Sequence, residues 1–105
     1  MYSRVTLLEI DTMRADVAEA AALFEAEVIP QLRELEGFLG AVVLATPEGK
    51  GMVITVWETE DAVTASAGLA ARQVERFVTL YAAPPGREYY EVLYADMPEI
   101  PVGVR

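Results

Sequence analysis

Two neighbouring apolar runs form the centre of the hydrophobic pattern. They span Phe38 to Ala45 and Met52 to Trp57, and a short segment rich in proline and glycine separates them, which predicts a β-hairpin. Both parities of the second run are largely apolar: they are Val53, Thr55 and Trp57, and Met52, Ile54 and Val56. An antiparallel sheet with one face in water carries polar residues at every second position. The sheet predicted here therefore needs a cover on each face.

The segments before the hairpin predict a strand and then a helix. Residues 2–10 are strand-like and apolar on both parities. From about residue 14 to residue 35 the apolar positions recur with a helical period, and Asp11-Thr12 offers a cap. Pro30 cannot donate a backbone hydrogen bond, so we expect a kink or a break near Ala26 to Ile29. Gly37 is expected to end the helical segment.

The segments after the hairpin repeat this order in reverse. Thr59 predicts the cap of a second helix, whose apolar stripe runs from Val63 to Tyr81. Two prolines and a glycine at 84–86 then lead into a last strand at 88–95. Residues 97–105 have no period and contain two prolines, which predicts an extended or disordered tail after a single domain of residues 1–96.

The element order βαββαβ predicts an α+β, ferredoxin-like fold with a four-stranded antiparallel sheet. Right-handed crossovers place its two helices on one face of the sheet. The other apolar face would then be open, and soluble monomers rarely expose a patch of that size. We therefore expect a homodimer that pairs through the sheet face, which is a dimeric α+β barrel.

Composition excludes several classes of function. The net charge of -9 argues against binding of nucleic acid or an anionic membrane surface. The chain has neither cysteine nor histidine, so it lacks the usual ligands of zinc and haem, and we expect no metal and no cofactor. The longest apolar runs are shorter than a membrane span, and the first residues lack the pattern of a secretory signal. We expect a cytoplasmic protein.

Two stretches resemble the antibiotic-biosynthesis monooxygenase family of small dimeric α+β barrels. The first is Leu-Glu-Gly-Phe-Leu-Gly at residues 35–40, preceded by Pro30, and the second is Ile-Thr-Val-Trp-Glu-Thr-Glu-Asp-Ala at residues 54–62. The resemblance covers roughly residues 2–95. It implies a ligand cavity between the sheet and the helices, with Trp57 in its wall. Haem-degrading members use a histidine and an asparagine, and quinone-forming members also use an asparagine, whereas this chain contains neither residue type.

Candidate binding residues lie near this implied cavity, and each has a structural alternative. Trp57 would stack a flat ligand or simply fill the core. Ser66 and Gln73 lie on the apolar arc of the second helix, close to Phe77, where a ligand or internal partners could satisfy them. Arg76, on the flank of that arc, is interpreted mainly as a solvated residue. The tyrosines at positions 81, 89, 90 and 94 could hydrogen-bond a substrate oxygen, but aromatic residues also favour strands and interfaces, and the sequence alone favours the structural role.

Two functions are carried forward from the sequence. The first is a cofactor-independent monooxygenase that acts on a flat aromatic or polyketide-like small molecule in a pocket between sheet and helices. The second is a non-catalytic dimer of the same fold that binds a small ligand or serves a structural role. Without histidine, haem degradation is disfavoured. Whether the protein is an enzyme stays open at this point.

Overall fold

The structure, a computed structural model, describes residues 1–97. Four antiparallel strands form one sheet in the order β2-β3-β1-β4. The strands are β1 (Tyr2–Glu9), β2 (Phe38–Ala45), β3 (Lys50–Trp57) and β4 (Gly86–Glu91). With the helical segments between them, this is the predicted ferredoxin-like α+β fold. Within residues 1–97, no helix is both long and apolar enough to cross a membrane.

The first helical segment is divided as Pro30 predicts. It consists of α1 (Val17–Leu23), a π-helical turn (Phe24–Val28) and α2 (Ile29–Arg33). In the π turn the Ile29 N–H donates to the Phe24 carbonyl, five residues back, and this wider turn leads directly into the helix turn that contains Pro30. The expected break is confirmed.

The predicted start of this helix, near residue 14, is wrong. The helix begins at Val17, and the side chain of Asp16 caps it by accepting the Glu19 N–H at 2.8 Å. Asp11 instead holds a preceding turn, in which its carboxylate accepts the Met13 N–H at 3.1 Å. Two consecutive turns with acidic acceptors thus separate β1 from α1.

The second helical segment starts where the sequence predicts but is not continuous. The Thr59 hydroxyl accepts the Ala62 N–H at 3.1 Å and caps α3 (Glu60–Ala65). The segment continues as α4 (Ala67–Arg76) and a short 3₁₀ turn (Val78–Leu80). At the junction the Ser66 hydroxyl donates to the Val63 carbonyl at 2.7 Å, and this bond competes with the helical pattern of the backbone.

Two strand boundaries differ from the predictions. β3 begins at Lys50, earlier than predicted, because the turn before it is closed by the Thr46 N–H donating to the Lys50 carbonyl at 2.8 Å. β4 ends at Glu91 and not at residue 95. Its last pair is Glu91 with Tyr2, the first residue of β1. Beyond that pair the Val92 N–H donates to the Met1 carbonyl at 2.9 Å, but the strand does not continue. Residues 98–105 of the predicted tail lie outside the described part of the chain.

The sheet has one covered face and one open face. Cross-strand partners point to the same side, so Trp57, Thr55 and Val53 share a face with Tyr2, Arg4 and Thr6. Both helical segments cover this face, and the core cluster consists of Val28, Leu32, Trp57, Val63 and Leu69. The opposite face carries an apolar set made of Val5, Leu7, Val42, Leu44, Met52, Ile54, Val56 and Tyr90.

Candidate functional site

An apolar cavity of about 70 Å³ lies between the covered face of the sheet and the first helical segment. Counted together with its mouth toward solvent, the empty space is about 580 Å³. Strand residues form the floor and helix residues form the wall; prominent among them are Leu8, Val53, Val17, Phe24, Val28 and Phe77. Such a site suits an apolar small molecule.

Among the lining residues that lie within positions 1–97, only Tyr81 carries a polar side-chain group. Burial raises the pKa of its phenol above the usual value of 10.0, because the apolar surroundings disfavour the phenolate. At neutral pH the group is therefore a neutral hydroxyl that can donate one hydrogen bond. The cavity can recognise an oxygen atom of a ligand at one point.

Trp57 is fully buried and lies in the core beside the cavity, not among its lining residues. Its indole meets the ring of Phe38 edge to face, with centroids 5.2 Å apart. The indole Nε1 donates to the Thr55 hydroxyl at 2.9 Å. These contacts satisfy the indole internally. The pocket role that the resemblance implies for Trp57 stays a prediction. The contacts observed for Trp57 are those of a residue that fills the core.

A buried cation, Arg4, lies next to Trp57 and was not among the residues predicted for the site. Its residue surface is 3% exposed, and its guanidinium lies 5.8 Å from the centroid of the Trp57 ring. Arg4 Nη1 donates to the Ser66 hydroxyl at 2.9 Å. Burial lowers the pKa of the Arg4 guanidinium. The Tyr89 phenol partly opposes this by raising the pKa, and the nearby cation Arg87 makes the smallest contribution, which again lowers it.

The hydroxyl of Ser66 therefore finds its hydrogen-bond partners within the protein, which is the structural alternative considered for this residue. The Ser66 hydroxyl accepts a hydrogen bond from Arg4 Nη1 and donates one to the Val63 carbonyl, and the residue is 1% exposed. Among residues 1–97, the ion pairs join Arg14 to Asp11 and Arg76 to Glu27, so Arg4 has no carboxylate partner there. Within residues 1–97 the Arg4 guanidinium contacts the Trp57 ring and the Ser66 hydroxyl, both of which are uncharged.

Gln73, Arg76 and Phe77 lie at the end of α4, facing the first helical segment. Gln73 Nε2 donates to Gln31 Oε1 at 3.3 Å, while the Gln73 Oε1 atom is buried without a partner in residues 1–97. Arg76 pairs with Glu27 at 3.0 Å, remains half exposed, and stacks over the Phe77 ring at 5.1 Å. Of the five predicted site residues, only Phe77 lines the cavity.

A second, more open groove of about 430 Å³ lies between the β1–β4 edge and α3. Its lining includes Tyr2, Tyr89, Glu60 and Glu91. Over residues 1–97, no three carboxylates come close enough together to hold a metal ion. A ligand in the cavity would meet apolar side chains and the Tyr81 hydroxyl. The outer groove offers glutamates and several hydroxyl groups, among them those of Tyr2 and Tyr89.

Sequence reasoning missed Arg4, although a signal for it exists. It considered Tyr81 but favoured a structural role, because no local signal places that residue at the cavity. Arg4 has the same strand parity as Tyr2 and Leu8, so alternation along the strand already placed a cation among inward positions. Tyr81 reaches the cavity because its backbone bridges to Ile10 at the far end of β1. That pairing joins residues distant in sequence, and no local pattern encodes it.

Comparison with solved structures identifies the fold. A monooxygenase from the gene ActVA-Orf6 of Streptomyces coelicolor, in complex with Nanaomycin D, superposes with a TM-score of 0.71 at 24% identity, covering 93% of this chain and 92% of that one. SnoaB, a cofactor-independent oxygenase from Streptomyces nogalater, gives 0.71 at 16% identity over 93% and 97% of the two chains. The haem degrader MhuD from Mycobacterium tuberculosis gives 0.68 at 20% identity over 92% and 100%.

The chain therefore has the α+β fold of the antibiotic-biosynthesis monooxygenases, as the resemblance predicted. No model of a known protein family matches the sequence. A search of the curated proteins also finds no match. At these identities the likeness concerns the fold, and function has to be argued from the site.

Proposed function

We propose that this protein is a cofactor-independent monooxygenase that acts on a flat aromatic or polyketide-like small molecule held between the sheet and the helices. The observation that carries the proposal is the apolar cavity with its single phenol, Tyr81. Neighbours of the same fold include a monooxygenase and a cofactor-independent oxygenase. An apolar lining of this kind favours contact with an apolar ring system over contact with water.

The proposed chemistry needs little from the protein. An activated CH₂ group of an anthrone-type substrate loses a proton, and the resulting enolate reduces O₂ and combines with it to give a hydroperoxide. Loss of water then leaves a quinone, so that one substrate and one O₂ yield one quinone and one H₂O. The protein binds the substrate, removes its hydration shell and stabilises the charge that develops on the enolate oxygen.

The alternative is a non-catalytic protein that binds a similar ligand or has only a structural role. It is favoured by the scarcity of hydrogen-bonding groups around the cavity, where Tyr81 alone has one. The absence of histidine and asparagine from the chain supports it as well. The absence of histidine also disfavours haem degradation, although one neighbour is a haem degrader.

Oxygen consumption with anthrone separates these functions. The wild type is compared with Ala21→Phe, which places a ring in the cavity, and with Ala22→Phe, whose position is exposed on the same helix. Uptake by the wild type and Ala22→Phe but not by Ala21→Phe supports the monooxygenase. Binding of anthrone without protein-dependent uptake supports the alternative. If the wild type neither binds anthrone nor consumes oxygen with it, both the monooxygenase and the ligand-binding function are excluded for this class of ligand.

We also propose that the protein is a homodimer paired through the open face of the sheet. Ile54 lies at the centre of the apolar set, between its cross-strand neighbours Val5 and Val42. In a monomer the exposed members of this set, such as Leu7 and Leu44, remain in contact with water. A self-complementary pairing would bury the same patch on both subunits. We propose that residues 1–96 form the single domain of each subunit.

Sedimentation at micromolar concentration tests the dimer. Ile54→Lys should yield monomers because it places a charge at the centre of the buried face. Thr64→Lys, at an exposed position on α3, should leave the dimer intact. A wild type that sediments as a stable single subunit contradicts the proposal.

A further inference from the structure

We propose that the Tyr81 hydroxyl is the ligand-recognition group of the cavity and that it donates its hydrogen bond to the carbonyl oxygen of an uncharged, flat aromatic molecule. This inference rests on the proposed function, and it narrows the class of substrate. It assigns to Tyr81 a binding role in place of the structural role that the sequence favoured for the tyrosines.

The backbone of Tyr81 is fixed at the cavity by the end of β1. Tyr81 forms a β-bridge with Ile10, and both of its neighbours are held by short hydrogen bonds. The Asp11 N–H donates to the Leu80 carbonyl at 2.8 Å, and the Ala82 N–H donates to the Glu9 carbonyl at 2.7 Å. These bonds fix the backbone from which the Tyr81 side chain reaches the cavity, so binding a ligand requires no ordering of this segment.

The surroundings of the phenol determine which ligand it can take. All other side chains that line the cavity are apolar, so a carboxylate or an ammonium group would lose its hydration without a countercharge. A carbonyl oxygen needs one donor, and the neutral Tyr81 hydroxyl supplies it. In an enolising substrate the same hydrogen bond strengthens as negative charge grows on that oxygen.

The size of the cavity suggests how such a ligand enters. Its enclosed part, about 70 Å³, is smaller than the roughly 150 Å³ of a protein cavity known to hold benzene. The space including the mouth is about 580 Å³. A fused ring system would therefore insert its carbonyl-bearing edge toward Tyr81 and leave the remaining rings in the mouth, against the apolar end of β2.

Two probes that differ by a carbonyl group in place of a methylene group test this inference by equilibrium dialysis. They are 1-tetralone, which carries a carbonyl group, and tetralin, which does not. Tyr81→Phe removes only the hydroxyl, so we expect its affinity for 1-tetralone to fall by about three- to tenfold. The affinity for tetralin should change by less than about twofold, because the ring that shapes the cavity remains. Tyr94→Phe, at an exposed tyrosine, is the matched control and should alter neither affinity.

The possible outcomes separate this inference from the proposed function. A selective loss for 1-tetralone supports the inference. Equal changes for the two probes, or no change for either, overturn it and leave the proposed oxygenase to the separate test with anthrone. Failure of the wild type to bind either probe overturns the inference together with the cavity as a binding site.

Discussion

Replacing Trp57 by phenylalanine would show whether this residue supports the core, the cavity or both. The indole is fully buried, donates a hydrogen bond to Thr55 at 2.9 Å and packs edge to face on Phe38. Phenylalanine keeps an aromatic ring against Phe38 but loses the N–H group and part of the volume. It also weakens the cation–π contact with Arg4, because an indole is the better partner for a cation.

These losses add up to a measurable change in stability. The hydrogen bond contributes about 1 kcal/mol, and the weakened contact with Arg4 about 0.5 kcal/mol. The space left by the smaller ring costs about 1 kcal/mol more. We therefore expect the free energy of unfolding to fall by about 2 to 3 kcal/mol, compared with about 3 to 5 kcal/mol for a tryptophan-to-alanine change in a core.

Urea unfolding followed by circular dichroism measures this difference, and binding of 1-tetralone is measured on the same variant. Since Trp57 does not line the cavity, the affinity should change by less than about threefold, which is under 1 kcal/mol. A loss of stability below 1 kcal/mol would refute the reasoning from core contacts. A tenfold loss of affinity in a protein that remains folded would instead establish the pocket role implied by the resemblance.

Three further predictions concern stability. Gly49 has φ of +101°, and a Cβ there would lie 2.4 Å from the Ile10 carbonyl oxygen. Gly49→Ala should therefore lower the free energy of unfolding in urea by at least about 2 kcal/mol. Gly40→Ala, where a Cβ meets nothing within 4 Å, should cost far less, and equal costs for the two variants would contradict backbone strain at Gly49. Asp16→Ala removes the helix cap and should lower the free energy of unfolding by about 1 kcal/mol, with a change near zero counting against the cap. Because the pKa of Tyr81 is raised in the folded state, its contribution is fully present below pH 10, the unfolded value, and is lost as pH rises through the folded pKa. Urea midpoints measured between pH 8 and pH 11 should therefore fall less steeply for Tyr81→Phe than for the wild type, and parallel curves would contradict the shift.

The sequence was sufficient for the architecture because each element carries its own pattern. The bounds of β2 agree with the apolar run that predicted them, and the Thr59 cap lies where its hydroxyl and the following acids indicated. The interruptions were harder to predict. Pro30 predicted a break in the helix. The π turn, however, depends on the hydrogen bond from the Ile29 N–H to the Phe24 carbonyl, and the hydrophobic period of the sequence carries no information about that bond.

The candidate site was predicted less well because it depends on distances between elements. Trp57 and Ser66 were correctly expected on the covered side. The sequence did not show that the Arg4 guanidinium contacts both of these side chains. Helical angles placed Ser66 on the inner arc without revealing this partner. Phe77 lies at the boundary, since it packs against the core cluster and also lines the cavity.

The covered face is divided into a cluster of buried polar groups around Arg4 and an apolar cavity, and this division limits the catalysis expected of the proposed monooxygenase. The buried polar groups around Arg4 are engaged with one another, and within residues 1–97 the side chains lining the cavity include neither a carboxylate nor any other base. For the proposed monooxygenase we therefore expect solvent to remove the proton, so that the rate of an anthrone-type oxidation rises with pH in step with the ionisation of the substrate itself.

A series of substituted anthrones of different acidity tests this dependence. If the apparent pKa of kcat/KM moves with that of the substrate, the protein acts by binding and desolvation. An inflection that stays at one pH across the series would reveal a base in the protein, and the phenol of Tyr81, kept neutral by burial, could not be that base near pH 7.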